Sequence, residues 1–330
     1  MNTPVFAFSE YWWFYAVFSA FVVFVLAIDL GIFHSKAHAV GFREAVIWTA
    51  LWAGMAFLFC LGLYWYVDSL FGPAASKQAA IEFLTGYIVE WSLSLDNIFV
   101  FVLIFGHFGV PDRFQHRILF YGILGALVFR AIFIALGSIL LQYGWMVIVF
   151  GVFLCLTGVK MLVTPERPVA LDRSPILRLL RKCIPITPSG DGRRFFQRVN
   201  GKLFATPLLV TLAFIEMTDI IFAIDSVPAI FAITREPLIV FTSNVFAILG
   251  LRSMYFLLAA AVGRFYLLRY GLALVLIFVG LKMAWLNQSW HGHFPMGISL
   301  CIIGGVLTAS VGLSLAFPKP MTAAPPARSH

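Results

Sequence analysis

Two hydrophobic stretches of the chain carry carboxylates where a bilayer should exclude them: Glu90 and Asp96 in VEWSLSLDNIFVF, and Glu216, Asp219 and Asp225 in IEMTDIIFAIDSVPAIF. An acid inside a membrane span costs at least about 2.5 kcal/mol on insertion scales, so several in two related spans imply a partner or a task. Six residues turn about 240° net of full turns on an ideal helix, which keeps Glu90 and Asp96 off a common face, whereas seven residues nearly close the circle. Glu90 therefore stacks with Asn97, Asp219 with Ser226, and Asp225 with Thr218, while Glu216 and Asp219 are neighbours three residues apart. The acids with Asn97 and Ser226 form an oxygen-rich set without cysteine or clustered histidine. Such ligands suit the hard divalent cations Mn2+, Mg2+ and Ca2+, where zinc and copper would favour imidazole or thiolate.

Counting Asp29 in AIDLGIF, six deep acids face four bases inside spans, Arg130, Lys160, Arg252 and Lys282, and one divalent cation would balance the difference. Glu82 is left out of this count because it lies near the outer end of its span, within reach of the interface. The arginines are themselves costly at mid-span and pair with some of the acids. A purely structural role, with Arg130 and Arg252 holding helices together through such pairs, is the alternative reading; otherwise the ligands are whichever acids stay unpaired, a choice the sequence leaves open. Pro228 frees the carbonyl of Ile224 beside Asp225, which predicts a kink or local unwinding there.

The elements that must hold these residues are membrane helices. The chain has 330 residues, 61% hydrophobic and 12% charged, with a mean hydropathy of +0.94, outside the range of soluble globular proteins. The predicted fold is an all-α polytopic membrane protein in one transmembrane domain. Runs of about 20 apolar residues, enough to cross the hydrocarbon as a helix, occur at Tyr11 to Phe33, Ala45 to Val67, Ala79 to Phe105, Ile118 to Leu141, Trp145 to Val163, Ala205 to Ile233, Leu238 to Ala261, Tyr270 to Leu286 and Phe294 to Phe317. Nothing basic precedes the first run, which reads as a retained helix rather than a cleaved signal. Cys60, Cys155, Cys183 and Cys301 lack the spacing of a disulfide framework or a zinc site.

The net charge of +8 does not point to nucleic acid once its distribution is considered. With the loop from Thr164 to Phe204 in the cytoplasm and the N-terminus outside, the inside loops and tail hold 17 of the 23 Lys and Arg residues, and the outside segments keep Lys77 and Arg235. That is the positive-inside pattern. The loop has nine basic and three acidic residues and five prolines, too little for a core. It reads as a connector at the anionic inner surface, with a short helix around Pro175 to Cys183. Residues 318–330, rich in Pro and Ala, read as a disordered tail.

The spans repeat. Arg130 and Lys160 are 30 residues apart, as are Arg252 and Lys282, and that register matches Leu127 with Leu249, Leu154 with Leu276, Gly158 with Gly280 and Met161 with Met283. In the acidic helices, Asp96 set on Asp225 places Glu90 on Asp219 and Asn97 on Ser226; Glu216 is an extra acid of the second copy. Spans three to five (about 79–163) thus recur as spans six to eight (about 205–286). Three spans are an odd number, so the second copy enters the bilayer inverted, the arrangement of alternating-access transporters whose site lies near the midplane between copies. Weaker features are His34 with His38 and His291 with His293, which are loop histidines, and Asn244 in FTSNVFAIL, which either hydrogen-bonds across helices or joins the site.

The stretches FLTGYIVEWSLSLDNIFVF, YGILGALVFRA, LTGVKM, ATPLLVTLAFIEMTDIIFAIDSVPAIFAIT, FTSNVFAILGLRSMYFLLA and RYGLALVLIFVGLKM together resemble the TerC/Alx family of bacterial integral membrane proteins, named for tellurite resistance. The resemblance runs from the AIDL of the first span to the last helix. It implies a nine-helix protein of the bacterial inner membrane that exports Mn2+, with Glu90, Asp96, Glu216, Asp219 and Asp225 as the motif acids. Tellurite is an oxyanion, which a nest of acids binds poorly, so a resistance effect would be indirect.

The residues and the resemblance lead to one expectation: a divalent-cation transporter, exporting Mn2+ as its cargo and exchanging it for protons, with no resident cofactor and no enzymatic activity. Its partners are the lipid bilayer and the ion; the sequence does not set its oligomeric state. Transport of Ca2+ or Mg2+ uses the same ligand chemistry. A different class, a non-transporting scaffold in metal or tellurite stress, would work through the basic connector. An intramembrane aspartyl protease is disfavoured because Asp96 is followed by Asn97 and Asp225 by Ser226, without the glycines of the GxGD pattern.

Overall fold

The computed structural model describes residues 6, 8–33, 41–163, 185, 194–199, 202–259, 267–289 and 294–317; within them the side chains of Asp29, Asp96 and Asp225 are among a few that are not described. The predicted connector helix, the tail and the four loop histidines fall outside the described residues. Among the described residues nine long helices follow one another: α1 (Phe8–Phe33), α2 (Phe42–Phe71), α3 (Pro73–His107), α4 (Asp112–Leu140), α5 (Gly144–Val163), α6 (Pro207–Phe231), α7 (Pro237–Ala259), α8 (Leu268–Leu281) and α9 (Met296–Ala316). All except α3 are long and apolar enough to cross a membrane, which makes this a multi-pass membrane protein. The exception is the longest helix, 35 residues, and it holds Glu82, Glu90 and Asp96. It packs against α2, α6, α7, α8 and α9, and Glu82, Glu90 and Asn97 are buried against protein.

Between lipid tails helices gain little from hydrophobicity, and their contacts rest on close van der Waals fit. Along α5 and α8 small residues supply that fit. A Cβ on Gly158 would lie 2.7 Å from the carbonyl oxygen of Ala273, and one on Gly280 would lie 2.6 Å from that of Gly151. The register that sets Arg130 on Arg252 also sets Gly151 on Ala273 and Gly158 on Gly280, so these two contacts are images of each other. Cys155 repeats the relation: its Sγ is 3.6 Å from the carbonyl oxygen of Ile277, its own counterpart. As the chain climbs α5 from Gly151 to Gly158, its partners descend α8 from Gly280 to Ala273. The helices are antiparallel about a local twofold, which is the packing an inverted pair of repeats requires. The same exchange relates α4 on α6 to α7 on α3.

Aromatic residues join the first two helices to this core. Phe59 of α2 lies 5.4 Å from Phe18 of α1, 5.3 Å from Phe83 of α3 and 5.1 Å from Phe246 of α7, centroid to centroid. These are the tilted separations that favour ring pairs.

Three local features depart from the sequence expectation. The helix α6 stays helical through Pro228 and ends at Phe231, without unwinding; Pro228 leaves the Ile224 carbonyl without its intrahelical donor, and the helix ends three residues later. Lys282–Leu286 forms a π-helical turn that continues α8. The end of the connector folds into an antiparallel hairpin, β1 (Phe196–Val199) with β2 (Lys202–Ala205). It is anchored by Phe195, over which the Arg117 guanidinium sits at 4.9 Å and whose ring meets Tyr121 edge-on at 5.3 Å.

Candidate functional site at the meeting of the two repeats

Glu90 is the middle residue of α3 and is 0% exposed. A carboxylate at that depth needs a counter-charge, and α4 delivers one. The Nη1 of Arg130, itself 3% exposed, donates to Glu90 Oε1, to Asn244 Oδ1 at 2.8 Å and to Ser226 Oγ at 3.2 Å. Asn244 of α7 closes the ring by donating from Nδ2 to Glu90 Oε2 at 3.4 Å. One arginine thereby ties α3, α4, α6 and α7 together, and both oxygens of Glu90 are occupied. Among the expected acids whose side chains are described, Glu90 is paired with an arginine. Asn244, left open between a helix crossing and a place in the site, hydrogen-bonds across helices, from α7 to Arg130 of α4 and Glu90 of α3. Its counterpart in α4 is Gly122, so the ring belongs to one copy only.

Asp219 is 3% exposed and lies within electrostatic reach of Arg130 and of Glu216. The Glu216 carboxylate packs where a side chain on Gly125 of α4 would stand, and its Oε2 has no hydrogen-bond partner. The extra acid of the second copy is therefore fitted to a glycine of α4 rather than to a base.

Asn97 and Ser226, counterparts in the two copies and 2% and 3% exposed, both line one cavity of about 300 Å³. Arg130, Leu93, Thr157, Phe222 and Leu276 complete its inner walls, and Lys160 and Arg269 stand at its other end. Those two bases lie where α5 enters and α8 leaves the connector face, because Gly158 and Ala273 touch just beside them. The cavity thus runs from the repeat interface towards the connector side. Asp96 and Asp225 precede Asn97 and Ser226 on α3 and α6, and their side chains lie outside the described residues. Among the described side chains, which do not include those two, no three of His, Cys, Asp or Glu cluster to hold a metal.

Glu82, set aside in the sequence as able to reach the interface, is in fact 6% exposed. Its Oε2 accepts from Thr234 Oγ1 at 2.5 Å and its Oε1 from Gln78 Nε2 at 2.9 Å. Distance from a helix end sets depth but not cover: Thr234, just beyond α6, folds over this carboxylate.

Residues 75–321 match the model of the integral membrane protein TerC family. Among similar proteins, an uncharacterized membrane protein of Myxococcus xanthus, STKORF319, is 49% identical over 302 residues, 91% of each chain. "Putative membrane-bound redox modulator Alx" of Escherichia coli (strain K12) is 45% identical over 292 residues, 88% of this chain and 90% of the relative. A membrane protein of Rickettsia felis is 41% identical over 81% of this chain and 86% of its own. No solved structure matches.

Proposed function

Because the chain belongs to the integral membrane protein TerC family, we propose that it transports a divalent cation, moving Mn2+ out of the cytoplasm across the bacterial inner membrane in exchange for protons. The carrying observation is that Asn97 and Ser226, each next to an aspartate in sequence, line one cavity where the two repeats meet. On this reading Asp96, Asn97, Asp225 and Ser226 supply hard oxygen ligands. Glu90 serves as the counter-ion of Arg130 and holds the frame, and Glu216 and Asp219 act as further ligands or proton carriers. A space of about 300 Å³ has room for about ten waters at roughly 30 Å³ each, enough to hold a cation with water around it. The excess of Lys and Arg on the connector side supports a cytoplasmic connector and an N-terminus outside. The resting cavity is then open inward, as an exporter needs to load. The redox role in the Alx relatives' name is met, on this reading, through the level of a redox-active cation.

The test is Mn2+ uptake into inside-out vesicles under an imposed pH gradient, with Mg2+ and Ca2+ as competitors. The account expects Mn2+ uptake that follows the gradient and is lost with Asp96→Asn or Asp225→Asn. Uptake unchanged in both variants would sink the site assignment. Removing residues 165–200 should leave intrinsic transport in place; abolition of cellular activity with transport intact would favour the scaffold instead.

A further inference from the structure

A second polar cluster is buried at the end of the bundle away from the connector. Besides Thr234 and Gln78, the Glu82 carboxylate has the Lys282 ammonium and the Glu236 carboxylate within electrostatic reach. Glu236 accepts in turn from the backbone N–H of Phe6 at 3.1 Å, and the Phe6 ring is 1% exposed. Four separate parts of the chain are drawn together here: the lead-in to α1, α3, the segment after α6, and the end of α8. Among the described residues no comparable cluster stands at the connector end, where the cavity reaches Lys160.

Lys160 and Lys282 are counterparts in the two repeats, yet Lys160 is exposed at the cavity mouth and Lys282 is 2% exposed. Arg269 and Lys282 are thirteen residues apart along α8, which sets the open mouth and the closed cluster about 20 Å apart at 1.5 Å per residue. In an inverted pair, the two copies show the two halves of one cycle, and exchanging their conformations gives the opposite-facing state. We propose that Glu82, Thr234 and Lys282 form the outer gate of the transport path, and that opening it exposes Lys282 at an outer mouth while burying Lys160. The π-helical turn that starts at Lys282 gives α8 an irregular, wider turn at the residue that must move. The loss of the Glu82 carboxylate would leave a buried ammonium short of its counter-charge, which favours the state that hydrates it. This gate rests on the alternating-access reading above.

The experiment reads accessibility rather than transport. In a background with Cys60, Cys155, Cys183 and Cys301 replaced by serine, Thr85→Cys reports on the space one turn below Glu82, and Thr157→Cys reports on the cavity wall. A membrane-impermeant maleimide is applied to either face of sealed vesicles. The unmodified gate should leave Thr85→Cys unreactive and Thr157→Cys reactive from the connector face. Adding Glu82→Gln should raise the Thr85→Cys rate at least about tenfold and lower that of Thr157→Cys, the signature of a shifted two-state population. Lys282→Gln serves as an independent opener should Glu82→Gln fail to fold. Reactive Thr85→Cys with an intact gate, or rates unmoved by both substitutions, overturns the proposal. A labelling shift in a protein that moves no Mn2+ removes the cation reading and keeps the gate; Mn2+ transport without a labelling shift removes the gate alone.

Discussion

Replacing Arg130 with methionine removes the cation beside Glu90 and leaves Glu90 Oε1, Asn244 Oδ1 and Ser226 Oγ without their common donor. Glu90 has no exposed surface through which to rehydrate. Breaking a buried pair from one side in this way costs about 3–5 kcal/mol. Glu90→Gln should cost less, about 2–3 kcal/mol, because Arg130 keeps Asn244, Ser226 and the nearby charge of Asp219. The double variant Arg130→Met with Glu90→Gln removes the buried pair itself and forfeits, besides neutral hydrogen bonds, the support that Arg130 gives Asp219, so its loss should fall below that of Arg130→Met alone. The cycle therefore predicts strong non-additivity, with the pair of changes milder than Arg130→Met alone. Reversible unfolding of the purified protein in mixed micelles, followed by far-ultraviolet circular dichroism, measures each corner. Single losses that add within about 0.5 kcal/mol would refute the pairing as the element that holds α3, α4, α6 and α7 together.

The twofold contact predicts matched responses at matched positions. Gly158→Val and Gly280→Val should each destabilise by about 1–3 kcal/mol through overpacking against a facing carbonyl, and a loss at one with none at the other would contradict the symmetry, again read by unfolding in micelles. Gly125→Ala puts a methyl where the Glu216 carboxylate sits and should cost about 1–3 kcal/mol, most of it recovered when Glu216→Ala is added, in the same assay. Glu216→Gln, at an oxygen that has no partner to lose, should shift stability by less than about 1 kcal/mol while lowering Mn2+ transport at least about tenfold, so that stability and flux measured on one preparation separate its two roles.

The long helices were legible because hydropathy over about 20 residues is a strong signal in lipid, and the inversion because Arg130, Lys160, Arg252 and Lys282 keep one spacing. The sequence also carried the acids and the prospect that arginine would claim some of them. It did not carry the choice of Glu90, which depends on how α4 is rotated, nor the place of Asn244, whose counterpart is Gly122. The burial of Glu82 was missed because its cover, Thr234, comes from a segment 152 residues away. The hairpin has a cue in the dipeptide Asn200-Gly201, which favours a two-residue turn, but the short flanking runs Phe196–Val199 and Lys202–Ala205 lack the alternation that marks strands. For the π-helical turn at Lys282 the sequence offers no cue that we recognise.

The central claim is that the repeat interface takes a hard divalent cation through oxygen ligands of both copies. Calorimetric titration of the purified protein with Mn2+ tests it most directly, alongside Asp96→Asn, Asp225→Asn and the distant control Asp68→Asn. The account predicts saturable Mn2+ binding that each of the first two substitutions weakens at least about tenfold, the effect of losing one charged ligand of about 1.4 kcal/mol or more, and that the control leaves unchanged. Binding absent from the wild-type chain, or equal in all four proteins, would contradict it.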